Sequence, residues 1–483
     1  MKFFQRLKNF IRRIFVDYNF INHLIEENSK KYLGQVSQTN NNIENQLQII
    51  NNKIDELNQN IQLQKNYEIN SKMNNEIVEI SKVVRQFKYN NTELQNIKNN
   101  NQKKNVLIIG FYGAPNLGDE LMLETLLEYL EYDTSMQITV LLADNPQYNI
   151  DKFKDIRFIH YPKTLYDFNI LAEQYDYFIF GGGAIINDKN FEKEDSYQYD
   201  LGTILIKLSL RAIAFKKKVI CLALSSSNKI TNRKYIEKLK YIVENSFYFS
   251  VRDVYTKKLL VDQMGKECQE KIIEISDIVF ANRKLNDIIE RNKPEVEILN
   301  IGIIWIANDN NVQKLEDTLK KIEECLINLN IEKCNINLIP FYEYCSIDTK
   351  FYNKIEQTKY ERLILNIEKY PEDINETINV FIKNDMIIGM RYHSVLIAHI
   401  LAIPCVSICY DIHEEYYNKI KHLNQLFNKQ EALSYMQMNS EEFTKRISQI
   451  IDNNKDEFDI EKSKQIGTLA KEQMEEVIRK IFN

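Results

Sequence analysis

Long apolar runs are missing from this sequence. Nowhere do about 18 uninterrupted apolar residues occur, the length a membrane-crossing helix needs, and the first twenty residues alternate apolar side chains with Arg and Lys. Transmembrane and secreted readings fall away. The 7 cysteines, at positions 221, 268, 325, 334, 345, 405 and 409, form no CxxC pair, and no His is spaced to complete a zinc site. A reducing, cytoplasmic compartment is expected, with no structural metal. Excess positive charge is also lacking: the net charge of -5 and pI near 5.9 argue against a nucleic-acid surface. Proline is absent from the first 104 residues, and glycine occurs there once, at Gly34.

What is present divides the 483 residues near position 104. Up to Lys104 there are 16 Lys and Arg against 10 Asp and Glu. From Phe3 to Ile21 the apolar positions follow one helix face, and Lys2, Arg6, Lys8, Arg12 and Arg13 precede the first acid, Asp17. Residues 1–24 read as a basic amphipathic helix, suited to peripheral membrane contact, to binding a partner or to packing on the rest of the chain. Residues 25–104 are Asn-rich, yet Ile43, Leu47, Ile50, Ile54, Leu57 and Ile61 step by four and three. The seam resumes from Ile69 to Phe87 after a stutter. A coiled coil is expected, and a homo-oligomer through it; one long helix folded onto its own chain is the alternative. Residues 90–104 read as a linker.

From Val106 the texture changes to short apolar runs alternating with helical periodicity. VLIIGFY, ITVLLA, RFIHY, YFIFGGG, KKVICLAL and FYFSVRD read as strands, and EILNIGIIWI, INLIPF, RLILNI, DMIIGM and PCVSICY form a second series. Two Rossmann-like α/β domains in tandem are expected, over 105–290 and 291–430, closed by helices over 431–483.

In such sheets ligands sit beyond the carboxyl ends of the strands. Four turns there carry chemistry. GFYGAPNLGDE offers Gly113, Asn116 and Gly118 for close backbone approach, and Asp119 and Glu120 at a helix start; it is neither a Walker A loop nor GxGxxG. Gly181, Gly182 and Gly183 follow the strand YFIF, where backbone must pass close to a ligand or to another strand. In SVRD, Arg252 has the planar fork that fits a phosphate or carboxylate, and Asp253 caps the next helix or pairs with the arginine. In GMRYHS, Arg391 and His393 flank Tyr392 at the start of an apolar helix, an anion site holding a titratable group.

These pieces, in this order, resemble the polysaccharide pyruvyl transferase family over roughly residues 105–425, through YPEDINETINVFIKNDMIIGMRYHSVLIAHILAIPCVSICYD. The resemblance implies a GT-B-like arrangement of the two domains with the site in the cleft between them. It also implies transfer of a pyruvyl group from phosphoenolpyruvate to hydroxyls of a sugar or glycan acceptor, closing a ketal and releasing phosphate. No cofactor or metal is called for. Arg252, Arg391, His393 and Asp411 match substrate positions, with His393 expected as proton donor or phosphate ligand and Asp119 or Glu120 handling the sugar hydroxyl. Where the family commonly has Tyr-Asp-Pro-Lys, this chain has Tyr410-Asp411-Ile412-His413, and Tyr392 stands where Leu is usual. A nucleotide-sugar glycosyltransferase and a noncatalytic scaffold are the competing readings.

Overall fold

The computed structural model describes residues 103–130, 135–143, 153, 156–191, 200–226, 229–287, 298–308, 311–409, 415–429, 432–434, 440–452 and 460–482. The expected amphipathic helix, the heptad seam and the Tyr410 to His413 segment with Asp411 lie outside them.

The first series of apolar runs builds β1 (Lys104–Ile109), β2 (Met136–Leu142), β3 (Arg157–His160), β4 (Tyr177–Ile186), β5 (Lys218–Ser226), β6 (Tyr248–Val251) and β7 (Ile273–Glu274). They pair in the order β3-β2-β1-β4-β5-β6-β7, every pair parallel. The helices between them are α1 (Leu117–Leu130), α2 (Leu165–Gln174), α3 (Leu201–Ala214), α4 (Arg233–Asn245) and α5 (Val254–Met264). Lack of polar alternation in the strands has a direct cause: both faces are covered. Val106 and Ile108 enter one apolar core while Leu107 and Ile109 enter another, as the two-residue period of a strand requires. The run VLIIGFY is longer than its strand, because β1 stops at Ile109 and Tyr112 turns back to donate its buried hydroxyl to Gly181 O at 2.6 Å.

After α6 (Arg283–Asp287) the second series builds β8 (Leu299–Ile304), α7 (Val312–Asn328), β9 (Cys334–Leu338), α8 (Ile347–Tyr352), β10 (Leu363–Ile367), α9 (Ile374–Ile382), β11 (Met386–Gly389), α10 (Tyr392–Ile400), β12 (Cys405–Cys409), α11 (Glu415–Leu426) and β13 (Leu433–Ser434). The strand order β10-β9-β8-β11-β12-β13 repeats the first sheet's logic, again wholly parallel. α12 (Ser440–Asp452) stays with this domain, where Phe443 and Ile447 join its core. α13 (Ile460–Phe482) crosses back: Ser463 Oγ donates to Ile400 O at 2.7 Å, and farther along Gln473 accepts from Ser276 N at 3.0 Å. One continuous core runs under α1, α10 and α13, so the two domains share buried surface instead of merely touching. No helix among the described residues is long and apolar enough to cross a membrane.

Tyr352 shows how the second sheet's carboxyl edge is held. Its buried hydroxyl accepts from Trp305 N at 3.0 Å and donates to Ile339 O at 3.2 Å, tying the ends of β8 and β9. Tyr352→Phe leaves both backbone groups buried without that partner, so a loss of about 1–3 kcal/mol is expected in urea unfolding. An unchanged midpoint would show that the edge is held by other contacts.

Candidate active site

Each sheet reverses its strand order once, between β1 and β4 and between β8 and β11. The two switch points face one another across a cavity of about 640 Å³. Its walls come from both domains, including Asn116, Asp119, Gly183 and Arg252 from the first, and Arg391 and His393 from the second.

The domains are stitched at the cavity mouth. Leu117 N donates to Phe341 O at 2.9 Å and Glu343 N to Pro115 O at 2.8 Å, making a short antiparallel bridge at Asn116 and Tyr342. The Phe341 loop is fixed from within by Asp348, which accepts from Phe341 N at 2.8 Å and Tyr342 N at 2.7 Å. The same carboxylate accepts from Arg391 Nη2 at 2.9 Å and 3.3 Å. Burial raises the Asp348 carboxyl even against Arg391 and the backbone donors. Arg391 is thereby aimed along the cavity wall, and its Nε is buried with no partner.

His393 stands on the first turn of α10, and the Gly118 backbone of the facing domain packs against its ring. A Cβ at Gly118 would fall 2.0 Å from His393 Nδ1, so only glycine permits this approach. On the other side of the ring, His393 Nε2 lies 3.5 Å from Arg252 Nη1 and 3.5 Å from Asp277 Oδ2. Neutral imidazole can accept from the arginine there, and imidazolium can donate to the carboxylate, so one geometry serves both protonation states. Burial holds the His393 pKa below its ordinary value, and Asp277 works against that shift.

Asp277 is the hub. Its fully buried carboxylate accepts from Arg252 Nη1 at 2.7 Å and from Val279 N at 3.0 Å. Burial pushes its pKa upward, but Arg252 and His393 outweigh burial and hold it well below the usual carboxylate range. Burial likewise works to lower the pKa of Arg252, and Asp277, with Tyr392 and Asp253, more than reverses it. The guanidinium lies 4.2 Å from the Tyr392 ring, while its Nε, like that of Arg391, is buried and unpartnered. Asp253, next in sequence, is an N-cap: it accepts from Thr256 N at 2.6 Å at the start of α5.

The adjacent acids of the first turn part company. Glu120 accepts from Gly113 N at 2.9 Å and so holds its own loop, whereas Asp119 lines the cavity. Burial first, and then the neighbouring Glu120, push the Asp119 pKa up to about 8. Gly183, with φ of +86°, passes beneath this carboxyl, where a Cβ would stand 3.2 Å from Oδ1. Gly181 and Gly182 lie behind it, against Tyr112 and Met122.

A sequence model of one family, polysaccharide pyruvyl transferase, matches residues 116–412. The chain belongs to the polysaccharide pyruvyl transferase family. No curated protein matches it. Among solved structures, a glycosyltransferase from Rickettsia africae is 12% identical, with 78% of this chain and 97% of that chain covered and a TM-score of 0.50. It shares the two-domain α/β fold. A UDP-GlcNAc 2-epimerase from Neisseria meningitidis, bound to UDP-GlcNAc, is 11% identical over 78% of this chain and 99% of that one, with a TM-score of 0.46.

For this family member, sequence reasoning located the cations and missed what orients them. Asp277 and Asp348 lie in ISDIVF and SIDTKF, outside all four turns. Asp277 has one local signal, an acid opening an apolar turn; Asp348 has none. Tyr161, Asn187 and Asp200 also line the cavity. Asp200 Oδ1 caps α3 through Thr203 N at 2.8 Å, while its Oδ2 is buried without a partner.

Two expectations rest on these electrostatics. Asp277→Asn removes the counter-charge of a buried arginine and is expected to cost about 3–5 kcal/mol of stability. In the same variant the His393 imidazole, followed by NMR titration, is expected to protonate at lower pH than in the parent protein; an unmoved titration would refute the coupling. Asp119 gives the second. Between the ordinary carboxylate range and about 8, the folded protein keeps a proton that the unfolded chain has lost, so stability from this group declines as pH rises through that window. Asp119→Asn abolishes the decline, and its advantage over the parent in urea is expected to grow from about pH 5 to about pH 8. An equal difference at both values would contradict the raised pKa.

Proposed function

We propose that this protein transfers the pyruvyl group of phosphoenolpyruvate to two hydroxyls of a sugar or glycan acceptor, forming a cyclic ketal and inorganic phosphate. Membership of the family supports the reaction class. The observation that carries the donor assignment is the pair of cavity-lining arginines, one from each domain. Two guanidinium groups at one cavity match a compact polyanion bearing a phosphate and a carboxylate. The start of α10 adds the positive end of a helix beside them.

The proton inventory also fits. As the first sugar hydroxyl attacks C2, its proton must leave and C3 must gain one. Asp119, raised to about 8, is a carboxylic acid at neutral pH and is suited to protonate C3. His393, held neutral by burial with Asp277 ready to stabilise its cation, is suited to take the hydroxyl proton. The expectation drawn from the sequence was different: His393 as proton donor or phosphate ligand, and Asp119 or Glu120 at the sugar hydroxyl. The C2–O bond to phosphate then breaks as the imidazolium returns its proton to the leaving group. Attack by the second hydroxyl closes the ketal, and its proton restores Asp119. Atoms and protons balance, and both groups end as they began. Glu120, bound to Gly113 N, has a positioning role in this scheme.

Thermal denaturation of the full chain with and without phosphoenolpyruvate tests the donor. Ligand at about one hundred times its dissociation constant is expected to add about 2.7 kcal/mol of stability. Arg391→Ala is expected to lower the ligand-free midpoint, because Asp348 loses its buried partner, and separately to abolish the ligand-induced shift. Protection by a nucleotide-sugar but not by phosphoenolpyruvate would overturn the assignment.

A further inference from the structure

The edge of the first sheet remote from the cavity gathers basic and aromatic side chains from several segments. β1, β4, β5 and β6 all begin there, and the last turn of α13 returns to it. Lys104 Nζ donates to Phe482 O at 2.9 Å and Lys218 Nζ to Ile481 O at 3.0 Å, which closes the C-terminus of that helix. The Lys218 ammonium lies 4.4 Å from the Phe247 ring centre and 5.0 Å from that of Tyr177. Lys480 lies 5.5 Å from that of Tyr248.

Around this stacked layer the surface is open. Lys216, Arg479 and Lys480 are exposed, and so are Phe215 at 38%, Phe247 at 41% and Tyr241 at 48%. Acids on the edge are fewer: Asp176 is paired with Lys217 at 3.0 Å, and Glu173, Glu244 and Glu476 stand exposed nearby. Exposed aromatics scattered singly are ordinary, but these are gathered at one edge and interleaved with cations, in a chain whose net charge is -5. Rings with lysine and arginine between them are the composition of a membrane-interface belt.

We infer that this edge seats the protein on an anionic bilayer surface. Phe215, Tyr241 and Phe247 reach the headgroup level, while Lys216, Arg479 and Lys480 meet lipid phosphates. Charge complementarity selects the occupant. The cavity lies at the opposite ends of the strands, so attachment leaves it facing water.

The test is co-flotation of the full chain with vesicles of equimolar phosphatidylcholine and phosphatidylglycerol, and with vesicles of phosphatidylcholine alone. Binding is expected only to the first and is expected to fall with salt. The double variant Lys216→Gln with Lys480→Gln is expected to bind about thirtyfold more weakly, from about fivefold per lysine at an anionic surface. Phe215→Ser with Phe247→Ser is expected to weaken binding while leaving its salt dependence. All four side chains are exposed or stand at the helix end, so unfolding midpoints close to the parent's are expected and serve as the control. Failure of the parent chain to float with the anionic vesicles overturns the inference, as does equal binding to both vesicles. Parent-like binding by both variants also overturns it and assigns the contact to residues 1–102.

Discussion

The buried carboxylate of Asp277 is the interaction on which the cavity depends. An ionised acid with no solvent exposure is tolerable only when its charge is met, and it is met here by Arg252 from its own domain and His393 from the other. Arg252 is held over Tyr392, and His393 is held with its Nε2 between a donor and an acceptor. Without that carboxylate Arg252 would be a buried cation stripped of the partner that neutralises it. With it, the two domains share a neutralised contact and leave part of each arginine available to a ligand.

The second domain repeats the device. Asp348 neutralises Arg391 and also takes two backbone N–H groups of the loop that bridges to Asn116. The lining of the cavity and the apposition of the domains therefore rest on the same few side chains. A ligand that draws on either arginine acts on groups that also hold the cleft in shape. The shared apolar core beneath α1, α10 and α13 gives this apposition a stiff base, and the Phe280 and Phe427 rings stack across it at 5.8 Å.

Adjacent carboxylates illustrate how environment divides identical chemistry. Asp119 and Glu120 occupy the same helical turn, yet one faces the cavity and is driven towards its neutral form while the other is spent on the Gly113 amide. Asp119 and Asp277 differ by a similar logic, since only Asp277 sits against a guanidinium at hydrogen-bond distance. Carboxyls whose pKa values are pushed apart within one cavity are suited to different roles in proton transfer.

The sequence by itself determined the longer strands, their parallel pairing and the turns that meet at the cavity, but not the two-residue strands β7 and β13, the second of which lies where only helices were expected. Unbroken apolar runs such as KVICLAL can be satisfied only when both sheet faces are covered, and glycine or polar turns can follow such strands only at an edge. Arg252, Arg391, His393 and Asp119 were legible because each stands where a strand runs into a turn. Asp277 and Asp348 were not, because a counter-ion is defined by distance in space: Asp277 lies 25 residues from Arg252, and Asp348 lies 43 from Arg391. Tertiary structure alone also separated Asp119 from Glu120, since the direction of a side chain on a helix turn depends on what packs beside it. Periodicity records which face of an element is apolar; which charges meet across a cleft is decided only when two domains close on one another.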